Sequence, residues 1–232
     1  MSLEASDGRE ILVRLDVNPR AKRLILRLDK KTGEAVAIAP SKRLLPQAAA
    51  FAEARIDWLA AQLELKYPAH PLEEGSLFPL RGSPCHLTAK GPGRLPTLLE
   101  GPPLTLCLPG APETLSARAI RYFKRAAKAD LEAAVARHTS TLGVEVRRIR
   151  VKDTRSRWGS CTHDGNLSFS WRLIFAEPYV LDYVAAHECA HLIEMNHSAA
   201  FWKTVERTCP GWQTARDWLK TEGQSLHAIG AE

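Results

Sequence analysis

Hydrophobic and polar positions alternate from the start of the chain. "EILVRLDV", "RLILRLD" and "EAVAIAP" alternate or run apolar, with Asn18-Pro19 and "DKKTGE" between them. Short patterned runs bounded by turn residues predict three strands. Pro46 then opens "PQAAAFAEARIDWLAAQLELK", which has the spacing of one amphipathic helix. Between Pro68 and Pro112, prolines and glycines dominate, interrupted by the strand candidates "SPCHLTA" and "LTLCLP". From Glu113 the period lengthens. "ETLSARAIRYFKRAAKADLEAAVARHTSTLG" is a long helix that stops at Gly143. A strand "VEVRRIRV", a polar loop "KDTRSRWGSCTHDG" and a strand "NLSFSWRL" follow it, and Pro178 begins another helix. "SAAFWKTVERT" and "WQTARDWLKTE" are two shorter helices. Segregated strands and helices predict an α+β architecture. A β-rich part is expected over residues 9–112 and a helix-rich part over 113–222, with no repeat and no disordered linker.

Composition narrows the setting. The 232 residues can bury a real core, and 45% hydrophobic with 25% charged residues describes a soluble globular protein. No apolar run approaches the roughly 18 residues a membrane span needs. "MSLEASDGRE" lacks an apolar signal core, so a cytoplasmic protein is expected. Five cysteines without CxxC spacing signal neither a disulfide framework nor a cysteine zinc site. The net charge of +6 is uneven, because twelve basic residues between Arg118 and Arg157 face only four acids. Such a face either suits anionic partners, including weak binding of nucleic acid, or is a solvated helix flank.

The chemistry concentrates in "HECAHLIEMNH", His187 to His197. Residues four apart on a helix lie on one face, about 6 Å apart along the axis, so His187 and His191 can share one metal ion. Glu188 sits beside them, where its carboxylate can take a proton from a metal-activated water. The flanking "LDYVAAHECAHLIEM" is mostly apolar, and burying two imidazoles and a carboxylate without partners is costly. A metal supplies those partners. A catalytic zinc needs a third protein ligand, and His197 is the candidate, with Glu206 in reserve. His197 can join only if the helix ends after His191, and Asn196 is a residue that tolerates the left-handed geometry of such a turn. The spacing equals that of the metzincin pattern, but Glu194 stands where that pattern has glycine, and no Met-turn follows.

These residues bring a family into view. The chain resembles the YgjP-like metal-dependent hydrolases, relatives of the SprT-like and Wss1-like zinc peptidases, over about residues 10 to 221. The resemblance runs through "NPRAKRLILRLD", "RIDWLAAQL" and "PLRGSPCHL" and is sharpest from "RWGSC" through "DYVAAHECAHLIEMNHSAAFW" to "WLK". It implies a zincin-like catalytic part over 113–222, with one catalytic Zn²⁺ held by His187, His191 and His197 and with Glu188 as general base. Cys189 falls where an aliphatic residue is common and is read as a small packing residue.

Around this centre the readings divide. In zincin-like folds a strand near the active-site helix presents its edge to an extended substrate, which makes Asn166 to Trp171, with Asn166 and Ser168, a candidate docking edge. Arg157 can bind a carboxylate or a phosphate bidentately. Trp158 and Trp171 are expected to pack in the core, with Gly159 permitting a turn. Tyr183, one helical turn before His187, either buttresses the ligand or is simply buried. His70, His86, His138 and His227 are read as structural, and His163 as part of a surface turn. Three functions follow: a metallopeptidase acting on polypeptide, a nucleotide pyrophosphatase acting on UTP (an activity the resemblance also implies), and a nucleic-acid-binding protein with a structural zinc.

Overall fold

The alternating N-terminal segments pair into a sheet. The structure, a computed structural model, describes residues 1–6, 8, 10–28, 34–64, 70–154 and 156–230. Strands β1 (Ser2–Glu4), β2 (Glu10–Val17), β3 (Ile25–Leu28) and β4 (Ala35–Ala39) lie in the order β1-β2-β4-β3. The central pair is parallel and both outer pairs are antiparallel. Alternation reads out directly on β2, where Ile11 and Val13 are buried while Leu12 is exposed. The central strand β4 is buried at every position and lies against helix α1 (Leu45–Glu53). The single helix expected after Pro46 is in fact two, because α2 (Ile56–Glu64) starts anew after a break at Ala54 and Arg55. The Arg55 N–H reaches back to the Ala52 carbonyl, a tightened three-residue turn made without proline or glycine. Hydrophobic period alone does not reveal such a break.

The chain forms two compact units, Met1–Tyr67 and Pro68–Glu232. The second opens on another four-stranded sheet, made of β5 (Leu77–Leu80), β6 (Ser83–Thr88), β7 (Thr97–Leu99) and β8 (Leu104–Cys107) in the order β5-β6-β8-β7. Its central pair is again parallel and its outer pairs antiparallel. Each sheet is followed by a 3₁₀ turn, Lys42–Leu44 or Pro112–Thr114, and then by a helix, α1 or α3 (Leu115–Leu142). A topological repeat is therefore present where the sequence shows none. The compact units also divide at a different point from the change in composition near residue 112. Phe78, Leu80, Leu87 and Leu106 share one buried core with Phe123 of α3, whose ring lies 5.3 Å from Phe78 and 4.9 Å from Phe175. The strands of 77–107 thus belong with the helix that covers them.

The remaining elements build the site. Gly143, at φ 71°, ends α3 as expected. Strands β9 (Arg148–Lys152), β10 (Gly159–Cys161) and β11 (Asn166–Ser170) form a sheet in the order β10-β11-β9. Beyond Ser170 the predicted strand turns into a buried 3₁₀ segment, Trp171–Phe175, with Trp171 in the core. Helices α4 (Pro178–Ala190), α5 (Ala199–Thr208) and α6 (Trp212–Thr221) follow. No helix among the described residues is long and apolar enough to cross a membrane.

Helix α4 is held from two sides. At its N-terminus, Arg81 (φ 51°) and Gly82 (φ 77°) form the two-residue turn between β5 and β6, both left-handed as that hairpin type requires. The Arg81 guanidinium grips Asp130 of α3 at 2.7 and 3.0 Å, and the Glu177 carboxyl fills the space a Gly82 side chain would need. Along its length, Asp182 accepts from Arg137 at 2.6 Å and contacts His138 Nε2 at 3.1 Å, while His138 Nδ1 lies 2.8 Å from Thr208 Oγ1. The buried His138 therefore links α3, α4 and α5. Burial alone would raise the Asp182 carboxyl, but the hydrogen bonds and charges of His138 and Arg137 hold it below its ordinary value. A lowered carboxyl stabilises the fold above its unfolded-state pKa and stops doing so as pH falls through the folded value. Replacing Asp182 with Asn is expected to cost about 1–2 kcal/mol at neutral pH. In denaturant titrations, the gap from wild type should close as pH drops below about 4.

Candidate metal centre

Helix α4 sets the first two imidazoles. Pro178 starts it at the position where a missing N–H costs nothing, and its flank buries Val180, Val184 and Ala185. His187 lies within the last turn and His191 caps it. The chain then reverses through tight turns, with Leu192, Ile193 and Glu194 N–H groups bonding back to the Cys189 and Ala190 carbonyls. Asn196 does not take the left-handed conformation expected of it, since Arg81 is the one non-glycine residue with positive φ among those described. The reversal comes from contracted hydrogen bonds instead. Ser198 then caps α5, its Oγ accepting from Phe201 N at 3.3 Å, and this brings His197 back over α4.

His187, His191 and His197 converge, with one ring nitrogen from each lying within 4.8 Å of the others. The Nε2 atoms of His187 and His197 are 3.0 Å apart. His191 Nδ1 lies 3.0 Å from the Glu194 carbonyl oxygen, which only accepts, so Nδ1 carries the proton and Nε2 keeps a free lone pair. Tyr183 is buried, and its hydroxyl is 3.5 Å from His187 Nδ1, so it backs that ring as well as filling space. The fully buried Phe201 touches all three imidazoles, with ring centroids 4.9, 4.5 and 4.8 Å from His187, His191 and His197. Trp202 stacks on His197 and on Trp212. A cation among the three nitrogens would draw a lone pair from each ring. Imidazole donors within this spacing fit a tetrahedral ion bound at about 2.0–2.1 Å. An all-imidazole set favours a borderline ion such as Zn²⁺ over Mg²⁺ or Ca²⁺. Glu206, the reserve ligand, lies exposed on α5 outside this group.

Burial and the neighbouring imidazoles push His187 down to about 3, and burial lowers His191 as well. Both rings are thus neutral, the form that binds metal. Glu188 is only 5% exposed, and burial pushes its carboxyl up to about 8, with Arg157 pulling it partly back. A divalent cation in the imidazole cluster acts in the same direction as Arg157. Cys161 and Cys189 flank the carboxylate, and burial raises their thiols to about 11 and 12. Cys189 is fully buried, the packing residue anticipated.

Gly159 has a more specific role than a turn. It lies in β10, and a Cβ there would fall 2.4 Å from Glu188 Oε1. The missing side chain lets a strand run directly against the carboxylate. This also corrects the docking strand. β11 is the interior strand of its sheet, paired antiparallel to β10 and parallel to β9, so Asn166 to Ser170 offers no edge. Asn166 is turned back onto Thr162 Oγ1 at 3.3 Å, and Ser168 is opposite Ser160 and Arg150. The edge beside Glu188 is β10. Trp158 stacks on His227 at 4.6 Å and is only partly buried, short of the core position expected.

A family model described as YgjP-like, metallopeptidase domain, matches residues 22–222. No curated protein matches the chain. Among solved structures, the metallopeptidase zymogen abylysin of Pyrococcus abyssi is 22% identical, covering 40% of this chain and 95% of that one, with a TM-score of 0.36. The Gly159→Ala variant is expected to displace Glu188 and lower turnover about a hundredfold while the bound-metal stoichiometry stays unchanged. Metal analysis alongside steady-state rates would check this.

Proposed function

Because this chain belongs to the YgjP-like, metallopeptidase-domain family, we propose that it is a zinc-dependent peptidase of the zincin type. The observation that carries the reading is a carboxylate only 5% exposed, held beside three converging imidazoles. His187, His191 and His197 hold the ion. When bound, Zn²⁺ supplies a Lewis acid that acidifies water and polarises a carbonyl. Glu188 accepts the proton of the attacking water and delivers it to the leaving amine. Tyr183 and the Glu194 carbonyl keep two of the rings oriented. The open edge of β10 takes an extended polypeptide by main-chain pairing, which presents a peptide carbonyl next to Glu188. Arg157 is exposed near that carboxylate and meets a substrate carboxylate.

The basic residues of 118–157 leave a nucleotide substrate as the second reading, and one experiment separates the two. Zinc-loaded protein is offered an unfolded polypeptide and, separately, UTP. Polypeptide cleavage is expected, and Glu188→Gln should reduce it by about 10²–10⁴-fold with full metal content. Release of UMP and pyrophosphate from UTP that depends on Glu188, with the polypeptide left intact, replaces the peptidase reading with the pyrophosphatase one. In His197→Ala, zinc affinity should fall. Unchanged affinity by competition with a chelator removes His197 from the ligand set.

A further inference from the structure

Helix α3 carries a second charged feature that the metal centre does not use. Arg118, Arg121 and Arg125 lie on one face of it and, with Arg94 from the loop before β7, line a cavity of about 250 Å³ beside Tyr122. No carboxylate lines this cavity, and none of the four arginines pairs with an acid among the described residues. Two other cations of the basic stretch do pair with an acid, Lys128 with Glu132 and Arg137 with Asp182. Arg118 is pinned rather than free. Its Nη1 donates to the Ala111 carbonyl at 2.7 Å and to Thr114 Oγ1, and its Nη2 to the Leu108 carbonyl at 3.1 Å. Its guanidinium occupies the space a side chain at Gly110 would need. Carbonyl dipoles orient that charge without cancelling it. Arg94, Arg121 and Arg125 keep exposed heads around it.

The fold itself does not call for this charge. Its repeated motif offers an internal comparison, because a groove occurs at the corresponding place in the first unit. That groove is lined by Arg23, Leu26, Phe51, Arg55 and Trp58, with the Arg55 guanidinium 4.1 Å from the Phe51 ring centre. Counted from the helix starts at Leu45 and Leu115, Arg121 stands where Phe51 does and Arg125 where Arg55 does. In that copy two arginines stand among aromatic and aliphatic side chains, one of them against the Phe51 ring. The other copy has gathered four guanidinium groups, which repel one another unless an anion joins them.

We propose that the cavity formed by Arg94, Arg118, Arg121 and Arg125 is a binding site for a small phosphate-bearing ligand. Guanidinium forks match phosphate oxygens bidentately, and several of them exceed what one carboxylate balances. The cavity is smaller than the roughly 300–1,000 Å³ typical of drug-sized ligands, so it suits a phosphate or diphosphate group rather than a polymer. It shares no residue with the imidazole cluster.

Inorganic pyrophosphate titrated calorimetrically into the full chain tests this. Because pyrophosphate also binds metal ions, the titration is run on metal-free protein and on His187→Ala. Saturable one-site binding is expected in both. The Arg121→Ala/Arg125→Ala double variant should weaken it by at least about tenfold, with an unchanged melting temperature showing that the fold is intact. Affinity should also drop as salt rises. No saturable binding to metal-free wild type overturns the proposal, and so does binding the double variant retains. Oligonucleotides whose affinity grows with length, while pyrophosphate fails to bind, reassign the arginines to a nucleic-acid surface and equally overturn it.

Discussion

Three imidazoles facing one point are the constraint around which the second unit is organised. Ring nitrogens of His187 and His197 lie only 3.0 Å apart, so the surroundings must hold the imidazoles in place. Phe201 packs under all three, a main-chain carbonyl fixes His191, and a tyrosine hydroxyl backs His187. These contacts depend on the spacing of α4 and α5, which His138 of α3 sets by reaching Asp182 on one helix and Thr208 on the other. The long helix with no role in the chemistry is the frame on which the site is aligned.

Much of this was readable in the residues, and the exceptions have physical reasons. His187, Glu188 and His191 declare themselves because the helical period places chemistry at fixed separations, and apolar neighbours announce burial. His197 can be inferred only by requiring a turn, and residue preference alone points to the wrong device for it. Asn196 looked like the pivot, whereas backward hydrogen bonds to Cys189 and Ala190 make the reversal. The strand "GSC" was lost within a polar loop, since three residues carry no period. With β10 hidden, β11 took its place as the supposed edge. Gly159 reads in sequence only as a turn residue and Phe201 not at all, for a related cause: one acts by lacking atoms next to a distant carboxylate, the other by contacts only the folded chain creates.

The α+β class was legible while the paired sheets were not. Alternation predicted several strands, but strand order is a long-range property, and the two copies of the motif share patterning rather than residues. "AVAIA" and "LTLC" take equivalent places with almost no identity between them. That divergence left one copy with a mixed groove of two aromatic rings and two arginines and the other with four guanidinium groups around one tyrosine.

The three imidazoles do not stand on equal footing. His187 and His191 rise from a helix embedded in the core, while His197 belongs to an exposed reversal between two helices. A change within α4 therefore moves two of the three donors at once, whereas a change in the exposed reversal alters one and leaves the helix-borne pair in place.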